Sequence, residues 1–109
     1  MVAGLVIYDR KGNDLEGRWT HQNLQGNFAR EVVYDVPKDS FVGAWKVDIY
    51  VPDGALFWAG ELTCERPGEA VSLRWEGAFA ETGKRSSYVG IGDELPNGTI
   101  VATFEEVGP

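Results

Sequence analysis

The chain of 109 residues contains one cysteine, one histidine and one methionine. A lone thiol, Cys64, excludes an internal disulfide framework and suits a reducing compartment. A lone histidine with no cysteine cluster supplies no zinc ligand set. Basic residues are also scarce, 10 Lys and Arg against 17 Asp and Glu, for a net charge of -7. No basic surface is available to displace counterions, so nucleic acid is not an expected partner, and an anionic membrane is disfavoured for the same reason. The one basic doublet, Lys84-Arg85, falls at a hairpin end and reads as a solvated turn. No segment approaches the roughly 20 apolar residues of a membrane helix. The opening Met1-Val2-Ala3-Gly4 precedes an apolar run of four residues and shows no basic n-region. A signal peptide is not visible there, and the expected location is cytoplasmic.

Glycine and short β-forming runs are what the chain does have. Its 14 glycines are about twice the usual share of roughly 7%. Many fall in turn signals: Gly12-Asn13, Gly26-Asn27, Asp53-Gly54, Pro67-Gly68, Thr82-Gly83 and Asn97-Gly98, joined by the Pro37-Lys38-Asp39-Ser40 cluster. Centred on Gly12, Gly26, Lys38, Asp53, Gly68, Gly83 and Asn97, these signals recur every 12 to 15 residues. Each gap holds one run rich in Val, Ile, Tyr, Phe and Trp. Eight strands joined by seven hairpins are predicted: Leu5–Asp9, Asp14–Thr20, Phe28–Asp35, Val42–Val51, Ala55–Glu65, Glu69–Gly77, Arg85–Gly92 and Thr99–Glu106. No window carries a helical period. Even spacing leaves no room for the long connection of a Greek key. The expected fold is one all-β domain, an eight-stranded antiparallel up-and-down barrel over residues 1–109, with the first strand closing on the eighth.

Alternation assigns faces. Trp45, Val47, Ile49 and Val51 oppose Lys46, Asp48 and Tyr50; Val71, Leu73 and Trp75 oppose Ser72, Arg74 and Glu76; Ile100, Ala102 and Phe104 oppose Thr99, Val101, Thr103 and Glu105. Two runs break the rule. Leu56-Phe57-Trp58-Ala59 and Leu5-Val6-Ile7-Tyr8 are apolar on both faces, and an uncovered strand of that kind invites aggregation. A homodimer through an outer apolar face near Phe57 is the expected cover.

Gly17-Arg18-Trp19 and Gly43-Ala44-Trp45 look like the Gly-x-Trp signature that opens a strand at the base of a lipocalin barrel. Tyr88-Val89-Gly90-Ile91-Gly92, followed by Asn97-Gly98 and Ile100-Val101-Ala102, looks like the closing hairpin of small bacterial lipocalin-like proteins. With its strand count, the chain therefore resembles the calycin superfamily, the lipocalin-like and avidin-like eight-stranded barrels. The resemblance implies a barrel that takes a small molecule in its interior. It also has a departure: lipocalins usually stack a late Arg on the signature Trp, and no Lys or Arg follows Arg85 here. The side-chain set of an avidin-like biotin site does not map onto this chain, so biotin is not carried over.

Trp19, Trp45, Trp58 and Trp75 are the principal candidates. Their rings either fill the barrel or wall an apolar pocket, since eight strands enclose just enough room for packed side chains or one small ligand. Tyr34, Tyr88 and His21 carry polar tips and are the candidate anchors. His21 shares parity with Trp19 and stands near a barrel mouth, or else lies solvated in the loop to Asn27. Cys64 reads as a small buried thiol. Asp9, Asp14 and Asp35 lack calcium-loop spacing, Ser86-Ser87 lacks a nucleophile elbow, and Glu105-Glu106 point to opposite faces. No cofactor or metal is implied.

The first reading is a binding protein for an apolar or amphipathic small molecule, lined by Trp19, His21, Tyr34, Trp45, Trp58, Trp75 and Tyr88. The alternative is a filled barrel that acts as an interaction or dimerising module. A third is an enzyme using His21 or a carboxylate at the barrel mouth, a role no motif supports.

Overall fold

The structure, a computed structural model, describes residues 3–107. Eight strands follow one another as β1 (Ala3–Lys11), β2 (Asp14–His21), β3 (Ala29–Val33), β4 (Gly43–Tyr50), β5 (Leu56–Glu65), β6 (Val71–Phe79), β7 (Arg85–Glu94) and β8 (Ile100–Val107). Each pairs antiparallel with its sequence neighbours, and β1 pairs with β8, closing the barrel. The architecture expected from the turn spacing is the one found. Of the seven turn signals, five carry a glycine at positive φ, among them Gly12 at 63°. That conformation costs an L-residue side chain and suits the tight turn between β1 and β2.

Closure extends β1 by two residues at each end beyond the expected run, because both its edges are paired. β3 is shorter than expected. The chain leaves the sheet after Val33, turns at Asp35 with φ 55°, and crosses one end of the barrel before β4. This crossing is a plug rather than a plain hairpin: Val36 and Phe41 are buried beneath it. It is tied down by hydrogen bonds to the first turn, Val36 N–H to Asn13 O at 3.0 Å and Asp35 N–H to Asp14 Oδ1 at 3.0 Å. The Arg10 guanidinium adds a donor to Pro37 O at 2.8 Å. At the opposite end, a single 3-10 turn, Gln22–Leu24, follows β2.

The inward residues alternate as the sequence indicates. Val6 and Tyr8, Leu15 and Trp19, Leu62 and Cys64, Leu73 and Trp75 are buried. The β5 run departs from that pattern. The pairing register slips between Ile49 and Tyr50, so that Ile49 faces Trp58 and Tyr50 faces Leu56. Phe57 is the extra residue, a β-bulge. Its ring packs against Trp19 at 6.3 Å and Phe79 at 5.2 Å between centroids. Phe57 therefore does not lie on an outer face. The bulge turns it over the barrel mouth beside Trp58, where it stays partly exposed, as does Leu56.

Candidate functional site

Two glycines shape the interior before any polar group enters it. Gly60 and Gly77 face each other across β5 and β6. A Cβ on Gly60 would stand 2.2 Å from Glu76 O, and one on Gly77 would stand 2.2 Å from Ala59 O. The two strands can approach this closely only without side chains there. Gly17 has a different role. It lies between Tyr8 on β1 and Glu31 on β3 in one row of the sheet. A Cβ on Gly17 would stand 2.8 Å from the Tyr8 ring and 3.3 Å from Glu31 Cβ. With that side chain absent, the Tyr8 ring lies across β2 and reaches Glu31.

Glu31 is the central polar group. It occupies an inward position between Ala29 and Val33 and retains only 3% of its surface. The Tyr8 hydroxyl donates to its Oε2, and Trp75 Nε1–H donates to the same oxygen at 3.1 Å. Trp75 Nε1–H also lies 3.3 Å from the Tyr8 oxygen. Burial pushes the Glu31 carboxyl up to about 7, while the Tyr8 and Trp75 donors hold it lower than burial alone would. The Tyr8 phenol is raised well above its ordinary value, by burial first and the adjacent carboxyl second, so Tyr8 stays a donor.

Above this group lies a cavity of about 110 Å³ that opens at the end opposite the plug. Glu31, Trp58 and Trp75 line its inner part, and Trp19, Phe57 and Phe79 line the rim. Tyr88 and Phe104 stand edge-on to each other at 6.2 Å, and Tyr88 stands edge-on to Trp58 at 5.9 Å. Burial raises the Tyr88 phenol, with Glu106 adding to the rise and Ser86 opposing it. The Trp58 Nε1–H donates to Ser86 Oγ at 2.9 Å. His21 stacks on Trp19 at 5.7 Å, and its Nδ1 accepts from Asn23 N–H at 3.1 Å. Ile49 and Glu106 complete the lining.

Compared with known proteins, the chain matches no family model, no curated protein and no solved structure at a significant level. The eight antiparallel strands in a closed up-and-down barrel are consistent with a calycin-like fold, and no match shows membership of that superfamily.

Five of the seven residues singled out from sequence meet around the cavity: Trp19, His21, Trp58, Trp75 and Tyr88. Two do not. Tyr34 follows the point where β3 ends, and its hydroxyl donates to Asp48 Oδ2 at 2.9 Å beneath Lys46, on the outside of the barrel. Trp45 does point inward, but it opens β4 at the plugged end, where its Nε1–H donates to Phe41 O at 3.0 Å. The Gly-x-Trp triplets part in the same way. Gly43-Ala44-Trp45 opens a strand at the closed end, whereas Gly17-Arg18-Trp19 ends β2 and places Trp19 at the mouth. Glu31, Ile49, Phe57, Phe79, Phe104 and Glu106 were not singled out. Parity with Ala29 and Val33 was the available signal for Glu31. Cys64 is buried as expected, and burial pushes its thiol up, so it is no nucleophile. Among the described residues no group of His, Cys, Asp and Glu is arranged to hold a metal ion.

Proposed function

We propose that the protein binds a small, largely apolar molecule in the open end of its barrel. The observation that carries this reading is the cavity: an aromatic-walled space of about 110 Å³ with one buried carboxyl at its inner end. Ligand sites are typically concave and apolar with a few converging polar groups, and this one has that composition on a small scale. Its size limits the guest to about one ring and a short substituent. A long acyl chain is too large, which narrows the class expected from a lipocalin-like barrel.

Toluene is the first probe. Its entry is expected to quench or shift the emission of Trp19, Trp58 and Trp75, whereas palmitate leaves the spectrum unchanged. Ile49→Phe, which puts a ring into the same space, should weaken toluene binding at least tenfold while the circular dichroism spectrum stays that of the parent. An emission spectrum inert to both compounds would mean a filled barrel.

The outer surface favours a second reading, self-association. Leu5, Ile91, Leu95 and Val101 lie together on the outside of β1, β7 and β8 and of the turn after β7, with Ile91 61% exposed. This face, rather than the one near Phe57, would cover the two-sided strand β1. Light scattering is expected to give the mass of a dimer at sub-millimolar concentration, and Ile91→Lys should give a monomer. A parent protein that is strictly monomeric ends this reading.

A further inference from the structure

The lining of the cavity carries a charge pattern as well as a shape. Two carboxyl groups reach it, Glu31 at the inner end and Glu106 nearer the rim. His21 is the one basic side chain, and no Lys or Arg occurs among the described lining residues. The whole chain adds a net charge of -7. An anionic guest meets repulsion at both depths, and a neutral one gains no charge–charge attraction from either.

The hydrogen bonds of Glu31 are one-sided. Tyr8 and Trp75 both donate to Oε2. No donor among the described residues reaches Oε1, and the carboxyl lines the cavity. No buried side-chain oxygen among the described residues lacks a partner, so Oε1 is open to the cavity, where water or a guest can supply its donor. Trp58, Trp75, Tyr88 and Phe104 line the same cavity as Glu31 and meet one another edge-on. Aromatic faces attract cations through the ring quadrupole, and cages of such rings recognise ammonium groups.

We propose that the guest is a small organic cation: an ammonium group on a body of about one ring, with an ammonium N–H donating to Glu31 Oε1 and the aromatic walls enclosing the rest. This inference rests on the ligand-binding reading and names the chemistry of the ligand. Tyr8 and Trp75 hold the carboxyl in place from the other side. The charge-assisted hydrogen bond supplies affinity that a neutral ring lacks.

The test uses four probes of one body: toluene, benzyl alcohol, benzylamine and benzoate, titrated calorimetrically and by tryptophan emission. At pH 8 benzylamine is expected to bind at least tenfold more tightly than toluene, with benzoate weakest. The ratio follows from a hydrogen bond to a charged group contributing about 1.5 kcal/mol or more. In Glu31→Gln the benzylamine preference should vanish while toluene still binds.

A pH series adds a second readout. Benzylamine, like an alkyl amine generally, stays protonated through neutral pH. Its affinity should fall about tenfold from pH 8 to pH 6 as Glu31, at about 7, takes up a proton. The titratable groups facing Glu31 are Tyr8 from β1 and Cys64 from β5, both of which stay neutral in this range. His21, Tyr88 and Glu106 share the cavity. A tenfold fall that persists in Glu31→Gln would belong to another group and would overturn the role of Glu31. Equal binding of toluene and benzylamine overturns the cation inference and leaves ligand binding standing. Failure of all four probes overturns both.

Discussion

Glu31→Gln should melt on the order of 10 °C above the parent at pH 8, and within a few degrees of it at pH 4.5. The cause is a carboxyl that the fold keeps from water. In the unfolded chain this group ionises near its ordinary value of 4.5, and in the barrel it does so only at about 7. Between those values the native state holds a proton that the unfolded chain has released, so each rise in pH favours unfolding. The native protein is at its best below about 4.5, as far as this group is concerned, and the contribution is lost once pH exceeds about 7. At about 1.4 kcal/mol per pH unit the full loss is about 3 kcal/mol. The amide that replaces the carboxyl keeps an acceptor oxygen for Tyr8 and Trp75 and has no charge to desolvate. Thermal melts of both proteins from about pH 4.5 to about pH 8.5 check this. A parent curve parallel to that of the variant would mean that Glu31 is not held in an apolar interior.

Gly60→Ala and Gly77→Ala should each cost about 3 kcal/mol or more in urea denaturation. The added methyl group has nowhere to go. At Gly60 it would stand 2.2 Å from Glu76 O and 2.6 Å from Gly77 Cα, and at Gly77 it would stand 2.2 Å from Ala59 O and 2.8 Å from Gly60 Cα. These are backbone atoms, so relief requires β5 and β6 to move apart. The two sites share one contact, and once either methyl group has separated the strands the second costs less. The double variant is therefore expected to lose less than the sum of the single losses. Gly68→Ala serves as the control, because a Cβ there meets nothing within 4 Å, and its effect should stay within about 0.5 kcal/mol. Losses at Gly60 and Gly77 no larger than that of the control would show that the strands have slack at this crossing.

The wall of the barrel was legible because each strand repeats a local rule. Ser72, Arg74 and Glu76 need only their own positions to turn Trp75 inward, and Gly12-Asn13 needs only itself to make a turn. What was not legible depends on partners far along the chain. A charged residue at an inward position contradicts the usual partition, so the parity that Glu31 shares with Ala29 and Val33 does not by itself single it out. Its justification lies 23 residues away at Tyr8 and 44 away at Trp75. Phe57 was missed because a bulge adds one residue to one strand, and a run apolar on both sides carries no mark of where it falls. Trp45 shows a different limit. Period-two alternation gives the face of a side chain but not its depth along the barrel, and Trp45 stands inward at the wrong end. Val36 and Phe41 flank a cluster of turn residues, and nothing local distinguishes a plug from a loop in water.

The plug under Val36 and Phe41 also has a kinetic consequence. With the plug at one end and the cavity opening at the other, a guest would arrive and leave past Phe57. By microscopic reversibility, an obstacle on that route slows both directions by the same factor. Crowding the rim by Phe57→Trp would slow arrival and departure together, and because Phe57 also lines the cavity, any change in occupancy would measure its contact with the guest. On the ligand-binding reading, the inner carboxyl selects the guest and the rim governs how fast it exchanges.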